Sequence, residues 1–284
     1  MFDLVWGLAV LVVAAMACFA AGDRLARRRP RWASLLAAGA VAFLVYFASA
    51  LYGRLLLASL MPFSNVIVLG NALPPTAAFV AGVAHAEVKV PRWRRLFAIW
   101  LLLGGAWYAV FRDLTVVPAV TSAPRYSEST ILQSSPATCS PSAAATLLLA
   151  HGIAANEAEM VALCLTRREG TPPLGLYRGL VRKTRGTPWR VAVVRRGDRR
   201  LADLEAPAIL PVNLHEGDTH ASLLRPAANP RVEHTVVFYG LDSDGLAEVG
   251  NPASGREHWC VERLEAAWTG EGLCLVPRNR AGSL

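Results

Sequence analysis

The chain has 284 residues, 54% of them hydrophobic, and a formal net charge of +8. That length holds one or two domains, and so large an apolar share is not that of an ordinary soluble globule. Through Asp113 there are eleven Lys and Arg against four Asp and Glu, leaving eighteen against seventeen, so the remainder is near neutral and nucleic acid is excluded as a partner.

In chain order, residues 4–22, 33–53 and 96–111 are long and nearly uncharged, as a hydrocarbon core requires. Residues 66–84 are weaker, interrupted by Asn71 and the Pro74-Pro75 pair, and are read as a further span, kinked or locally opened at the prolines. The first segment lacks a basic stretch ahead of its apolar run, so a retained anchor is expected rather than a cleaved signal peptide. Two basic loops, residues 24–31 and 89–95, belong on the cytoplasmic side. They share a side only if spans two and three both cross. Everything after Phe111 is then expected outside. The division is a transmembrane region of about four helices at 1–113, a linker or extended lead-in at 114–130 and a domain at 131–284.

Within that domain the stretch QSSPATCSPSAAATLLLAHG leads from an irregular Ser/Pro/Thr segment into a helix. Ser140 and Pro141 suit a first turn, because proline has no N–H to lose there. Ala143 and the residues up to Ala150 are strong helix formers with few polar interruptions, so burial on most sides is expected, with Gly152 as the stop. Cys139 at the helix start faces unpaired N–H groups and the positive end of the helix dipole, and both favour the nucleophilic thiolate. Taken alone, such a cysteine is more often a small apolar residue opening a core helix.

A second helix is expected over 156–165, with Met160, Leu163 and Cys164 on one face. A turn at 170–173 leads to a third helix over 175–184, with Leu176, Leu180 and Val181 inward and Arg178, Arg182 and Lys183 outward. The period then changes. Strands are expected at 189–194, 208–214, 234–240, 247–250, 258–261 and 272–276, with a helix at 261–268. Helices first and an antiparallel sheet second indicate an α+β domain with helices on one side of the sheet. Cys260 and Cys274 bracket the last helix and could form a disulfide in an oxidising compartment, or stay as buried thiols; both readings stay open.

Thiol catalysis needs a base, a group that orients the base, and a donor for the oxyanion. Of six histidines, His85 borders the third span, His151 ends the Cys139 helix and points elsewhere, and His258 is a strand residue. His215 and His220 sit in a polar loop (HEGDTH) without the further ligands a metal needs, so no metal or cofactor is assigned. His234 begins the most strand-like segment, HTVVFYG, and Asn251 opens a loop after the adjacent strand. Each alone has a plain reading, a capping histidine or an Asn-Pro turn.

Together with Gln133 and Cys139, these residues make an ordered set that resembles the bacteriocin-processing, double-glycine-leader cysteine peptidases, family thirty-nine of the cysteine peptidases, within the papain-like group. Gln133 stands six positions before Cys139, CSPSAA is similar to the family's helix start, HTVV matches its histidine strand, and NPASG stands where the family has an Asp-Pro-x-x-Gly loop. The ending EAAWTGEGLCLV is also similar, and the likeness runs from Ile131 to Val276. The resemblance implies a papain-like α+β fold in which Cys139 is the nucleophile, His234 the base, Asn251 its orienting group and Gln133 an oxyanion donor. Asparagine replaces the usual aspartate, which keeps an acceptor for the histidine, as in Cys-His-Asn enzymes, and removes a charge. An aspartate at 251 is therefore expected to keep or raise activity. The resemblance further implies a bacterial cell or inner membrane location, a peptide or protein substrate and, since no transporter sequence accompanies the domain, a separate transporter or secretion component as partner beside the lipid bilayer. Two other readings stand: a catalytically weak or inactive peptidase-like domain that binds peptides or partners at the membrane, and a membrane scaffold or transporter part, which without a phosphate-binding GxxxxGK[ST] could not drive export alone.

Overall fold

The computed structural model describes residues 2–87, 90–115, 125–197, 201–215 and 231–279. Contacts divide the chain into two units, Met1–Thr115 and Val116–Leu284.

The first unit is helical: α1 (Phe2–Arg28), α2 (Pro30–Tyr46, continued by a π-helical turn over Phe47–Leu51), α3 (Leu56–Leu60), α4 (Val66–Leu69), α5 (Leu73–Ala86) and α6 (Arg92–Leu114). Four segments, Phe2–Arg28, Pro30–Leu51, Val66–Ala86 and Arg92–Leu114, are long and apolar enough to cross a membrane. Only Arg29 separates α1 from α2, so most of the first basic loop is helical. The interruption in the third segment falls at residues 70–72, ahead of the prolines. Asn71 Oδ1 accepts the Leu73 N–H at 3.1 Å, and Pro74 and Pro75 occupy the first turn of α5, where a missing N–H costs nothing. The prolines start a helix rather than kink one. α1 and α5 cross at two glycines: a Cβ on Gly82 would stand 2.1 Å from the Phe19 carbonyl oxygen, and one on Gly22 would stand 2.3 Å from that of Phe79. Beside this crossing Asp23 accepts from Arg27 at 2.9 Å and lies 2.9 Å from His85 Nδ1, so an acid in an apolar bundle has two partners.

The second unit is α+β, the class expected from the sequence. A hairpin of β1 (Arg125–Ser127) and β2 (Thr130–Leu132) precedes α7 (Cys139–Ala150), α8 (Glu157–Leu163) and α9 (Pro173–Lys183). Then come β3 (Trp189–Arg195), β4 (Ala208–His215), β5 (Arg231–Leu241), β6 (Ala247–Asn251), β7 (Gly255–Trp259), α10 (Val261–Ala267) and β8 (Glu271–Pro277). The six long strands form one sheet in the order β3-β8-β4-β5-β6-β7, and every pairing is antiparallel.

Consecutive residues in the central strands are all buried, Ile209 and Leu210 in β4 and Val236, Val237 and Phe238 in β5. Neighbours in a strand point to opposite faces, so both faces must be covered. The face bearing Leu210, Phe238 and Val249 packs with Leu264 of α10 and Trp268. α7 lies against β5 and β4 from the other side, where Thr235 meets Ser140. Helices therefore cover both faces, not the one side the sequence order indicated.

α7 is buried from Ser140 to Leu148, which its alanine and leucine content leads one to expect. It ends at Gly152, whose φ of +72° suits glycine, while the Ile153 N–H closes back on the Leu148 carbonyl at 2.9 Å. In α9 the expectation for Arg178 is overturned. Its side chain is 2% exposed, and its Nη1 donates to the Leu163 carbonyl at 2.6 Å. The carbonyls at the end of α8 lack intrahelical donors, and a guanidinium from the next helix meets one. Gly175 and Gly179 let α9 come this close, since a Cβ on Gly175 would stand 2.2 Å from the Cys164 carbonyl oxygen.

Candidate active site

Cys139 is the first residue of α7, and its approach is built from short polar residues. Ser135 caps a 3-10 turn over Pro136–Thr138: its backbone N–H donates to Thr138 Oγ1 at 3.1 Å and its own hydroxyl accepts from the Ala137 N–H at 3.3 Å. Upstream, Glu157 at the start of α8 accepts from both the N–H and the hydroxyl of Ser134, at 2.8 and 2.9 Å. Glu157 is 4% exposed, so this segment is held by a buried carboxylate with two donors. Ser140 Oγ and Thr235 Oγ1 stand 2.8 Å apart, which ties the residue after Cys139 to the residue after His234.

His234 is buried on β5, opposite Val212 of β4. Asn251 ends β6, where Gly250 pairs with Val237 of β5. Asn251 is thus opposite Val236, one same-face step from His234, and the imidazole Nε2 lies 2.8 Å from Asn251 Oδ1. The amide orientation follows from its other partners. Oδ1 accepts the backbone N–H of Ala253 at 3.0 Å, and Nδ2 donates to Glu257 Oε1 at 3.1 Å. A backbone N–H can only donate and a carboxylate only accept, so the two ends of the amide are assigned. Oδ1 can then only accept from His234, which puts a proton on Nε2 and leaves Nδ1 for the thiol.

Cys139 and His234 lie close enough to shift one another's protonation. Burial pushes the Cys139 thiol up, but the His234 imidazole, followed by the Ser140 and Thr235 hydroxyls, outweighs it and holds the thiol below its ordinary value. Burial likewise opposes charge on His234, yet the Cys139 partner, Asn251 and the nearby Glu257 charge raise its pKa. The two directions favour the same charge state, thiolate beside imidazolium.

Gln133 follows β2 and is 8% exposed. Its backbone N–H donates to the Pro252 carbonyl at 2.8 Å, so the segment before Cys139 is joined to the loop after Asn251. The side-chain Nε2 donates to the Ser135 carbonyl at 3.0 Å, and Oε1 is buried with no partner among the described residues. A buried acceptor left unmet costs about 1–3 kcal/mol, and the spot can take a donor from a bound molecule.

The other sequence candidates have separate roles. His151 Nδ1 reaches the Leu147 carbonyl at 2.9 Å and its ring packs edge-on to Trp189. His258 lies 3.5 Å from Asp242 on the surface. His215 ends β4, and His220 with the rest of HEGDTH lies outside the described residues. Among the described residues no group of three His, Cys, Asp or Glu side chains is placed to hold a metal. All five cysteines are free: Cys260 is exposed at the start of α10, whereas Cys274 is buried in β8 opposite Ala192 and Ala208. Sequence reasoning gave neither Glu157, read only as a first-turn residue of its helix, nor Glu257 a part in the site. Nothing in their local patterns separates them from surface carboxylates, because their role comes from groups 23 and 6 positions away.

No protein-family model matches the chain, and no curated protein does. Among solved structures, the chain is similar to the peptidase domain of Streptococcus ComA, a bi-functional ABC transporter involved in a quorum sensing pathway, at 21% identity over 52% of this chain and 96% of that one, with a TM-score of 0.40. It is similar to a double glycine motif protease from an AMS/PCAT transporter in complex with the leader peptide, at 18% identity over 55% and 99% of the two chains, TM-score 0.39. It is also similar to the N-terminal peptidase C39 like domain of the toxin secretion ATP-binding protein from Vibrio parahaemolyticus, at 15% identity over 51% and 99%, TM-score 0.35.

Proposed function

We propose that residues 131–284 form a cysteine peptidase domain, joined through residues 114–130 to a membrane region at 1–113. The observation that carries this reading is the His234–Asn251 pair, in which the far side of the imidazole is fixed by an amide whose own orientation is fixed, with Cys139 near enough to be lowered by that imidazole. Cys139 Sγ attacks the scissile carbonyl as thiolate. The proton on His234 Nδ1 then passes to the leaving amine, and the acyl-enzyme is released by a water that the same nitrogen deprotonates. Asn251 keeps the ring in the plane that serves both steps. The oxyanion is met by the Cys139 backbone N–H at the start of α7 and by the second Nε2 hydrogen of Gln133. This chemistry needs no cofactor.

The test is covalent. A peptidyl acyloxymethyl ketone, incubated with the full chain in detergent, is expected to modify Cys139 and no other cysteine, as mapped by mass spectrometry. Modification of exposed Cys260 alone, with Cys139 intact, would sink the peptidase reading. Sidedness has its own test: an alkaline phosphatase fusion after Ser127 is expected to be active and a green fluorescent fusion at the same point dark, because two basic loops stay inside. The opposite pair of results puts Cys139 in the cytoplasm. There, the resemblance makes a double-glycine leader the first substrate to try.

A further inference from the structure

The sequence leaves a missing charge unexplained: asparagine stands where the family it resembles has aspartate. Behind Asn251 the structure holds a carboxylate. Glu257 lies on β7, which pairs with β6 through a tight turn at residues 251–255. Gly255 in that turn has φ +111°, and a Cβ there would stand 2.4 Å from Ser127 Oγ, so the turn depends on glycine. The hairpin brings residue 257 back beside residue 251. Glu257 Oε1 accepts from Asn251 Nδ2 at 3.1 Å and from the Ser254 hydroxyl, and Oε2 accepts from Trp259 Nε1 at 2.6 Å. The carboxylate is thus fixed by three donors.

We propose that Glu257 is a positioning residue for the Cys139–His234 pair, acting through Asn251: its carboxylate fixes the amide so that Oδ1 faces the imidazole, and it supplies from one residue further back the negative charge that asparagine lacks. The inference rests on the peptidase reading for its catalytic meaning, but not for its geometry. An amide is the right bridge here because it accepts on one side and donates on the other. The Glu257 charge also raises the pKa of His234, the direction that keeps the imidazolium.

The proposal reverses one expectation. Asn251→Asp would put a carboxylate oxygen where Nδ2 now stands, about 3.1 Å from Glu257 Oε1. Two carboxylates that close cannot both ionise cheaply, and they share a proton. The aspartate of the family is therefore unfavourable in this chain unless Glu257 is neutralised with it. Other charged groups near these side chains are engaged elsewhere. Arg256 of β7 bonds Glu248 of β6 and Ser129, and Arg125 of β1 donates to the Gln133 carbonyl. From α7 the group facing His234 is Cys139 itself.

The experiment measures alkylation of Cys139 by iodoacetamide against pH on the full chain in detergent, by mass mapping, together with peptide hydrolysis. Glu257→Gln is expected to move the midpoint for Cys139 upward by roughly one pH unit, so that alkylation below that midpoint falls about tenfold. Asn251→Asp is expected to add an ionisation to the profile that the wild type lacks, and Asn251→Asp/Glu257→Gln to remove it. An unmoved midpoint in a folded Glu257→Gln chain, shown folded by continued protection of Cys164, overturns the proposal. If that variant does not fold, Asn251→Asp decides: a profile with no added ionisation overturns the proposal equally. Alkylation needs no substrate, so the two readings fail separately. A moved midpoint without any peptide cleavage keeps Glu257 and sinks the peptidase, and cleavage with an unmoved midpoint does the reverse.

Discussion

Cys139 opens α7 and Cys164 closes α8, in the same unit and the same helical layer. Burial pushes both thiols toward the protonated form. At Cys139 this is outweighed by an imidazole, followed by the Ser140 and Thr235 hydroxyls, and the thiol is lowered. At Cys164 the neighbour along the thiol is the Leu176 carbonyl at 4.0 Å, an acceptor that favours only a thiol carrying its proton. The helix end adds to this, since its C-terminal side carries partial negative charge. Burial raises the Cys164 pKa well above the ordinary range, and Arg178 offsets it only in part. Removal from water therefore does not separate a reactive cysteine from an inert one. What separates them is whether the partner donates or accepts.

The strongest way to break that contrast is to remove each sulfur. Cys139→Ala is expected to cut peptide hydrolysis by about 10⁴-fold or more, with Tm nearly unchanged, because it deletes one sulfur from a partly buried residue at a helix start. Cys164→Ala should leave the rate at the wild-type value and lose roughly 1 kcal/mol of stability, since it empties a fully packed site. Equal rates in the two variants would mean that the thiols do not differ in the way their partners indicate.

Next in size is the orienting amide. Asn251→Ala removes the acceptor for His234 Nε2 and the group that Ala253 and Glu257 hold. A loss on the order of a hundredfold in kcat, with KM little changed, is expected from triad logic. Alanine as good as asparagine would take residue 251 out of the site.

The pH dependence gives the sign. The Cys139 pKa is lowered and that of His234 is raised, so the ion pair is populated above the first and below the second. Iodoacetamide should therefore modify Cys139 on the acid side of an ordinary thiol's range, while Cys164 stays unmodified until the chain unfolds. His234→Ala leaves burial unopposed by its main partner and should slow Cys139 alkylation at pH 6.5 by about tenfold or more.

An effect on stability rather than on rate concerns how closely the inert thiol is packed. A Cβ on Gly179 would stand 2.3 Å from Cys164 Sγ and 3.2 Å from Met160 Cε. Gly179→Ala should cost about 1–3 kcal/mol by overpacking, measured by urea unfolding, and less than that in a Cys164→Ala background. Additive costs would show that the sulfur is not what the new methyl meets.

Where one residue's chemistry fixes the local outcome, the sequence alone was sufficient. Ser140, Pro141 and the alanines after them specified a buried helix with Cys139 at its start, and Gly152 specified its end. Length and apolar content specified four membrane-competent helices. The order of Gln133, Cys139, His234 and Asn251 was readable because each lies in a short pattern of its own. The strand expected at 258–261 instead runs over Gly255–Trp259, since the turn after Asn251 is tight and pairing begins as soon as it closes. The third apolar segment breaks before Pro74 rather than at it, because a proline at a helix start is no strain.

Only the tertiary structure decided which charges go inside and what they do there. Arg178 reads as an outward position on an amphipathic helix, yet it turns into the layer because α8 ends beneath it with an unmet carbonyl. Glu157 and Glu257 carry no local sign of burial, yet each ends up holding a segment of the candidate site. A burial pattern along one element cannot report these pairings. A polar group goes inside only where another element brings it a partner, and that partner is fixed by the packing of the whole unit.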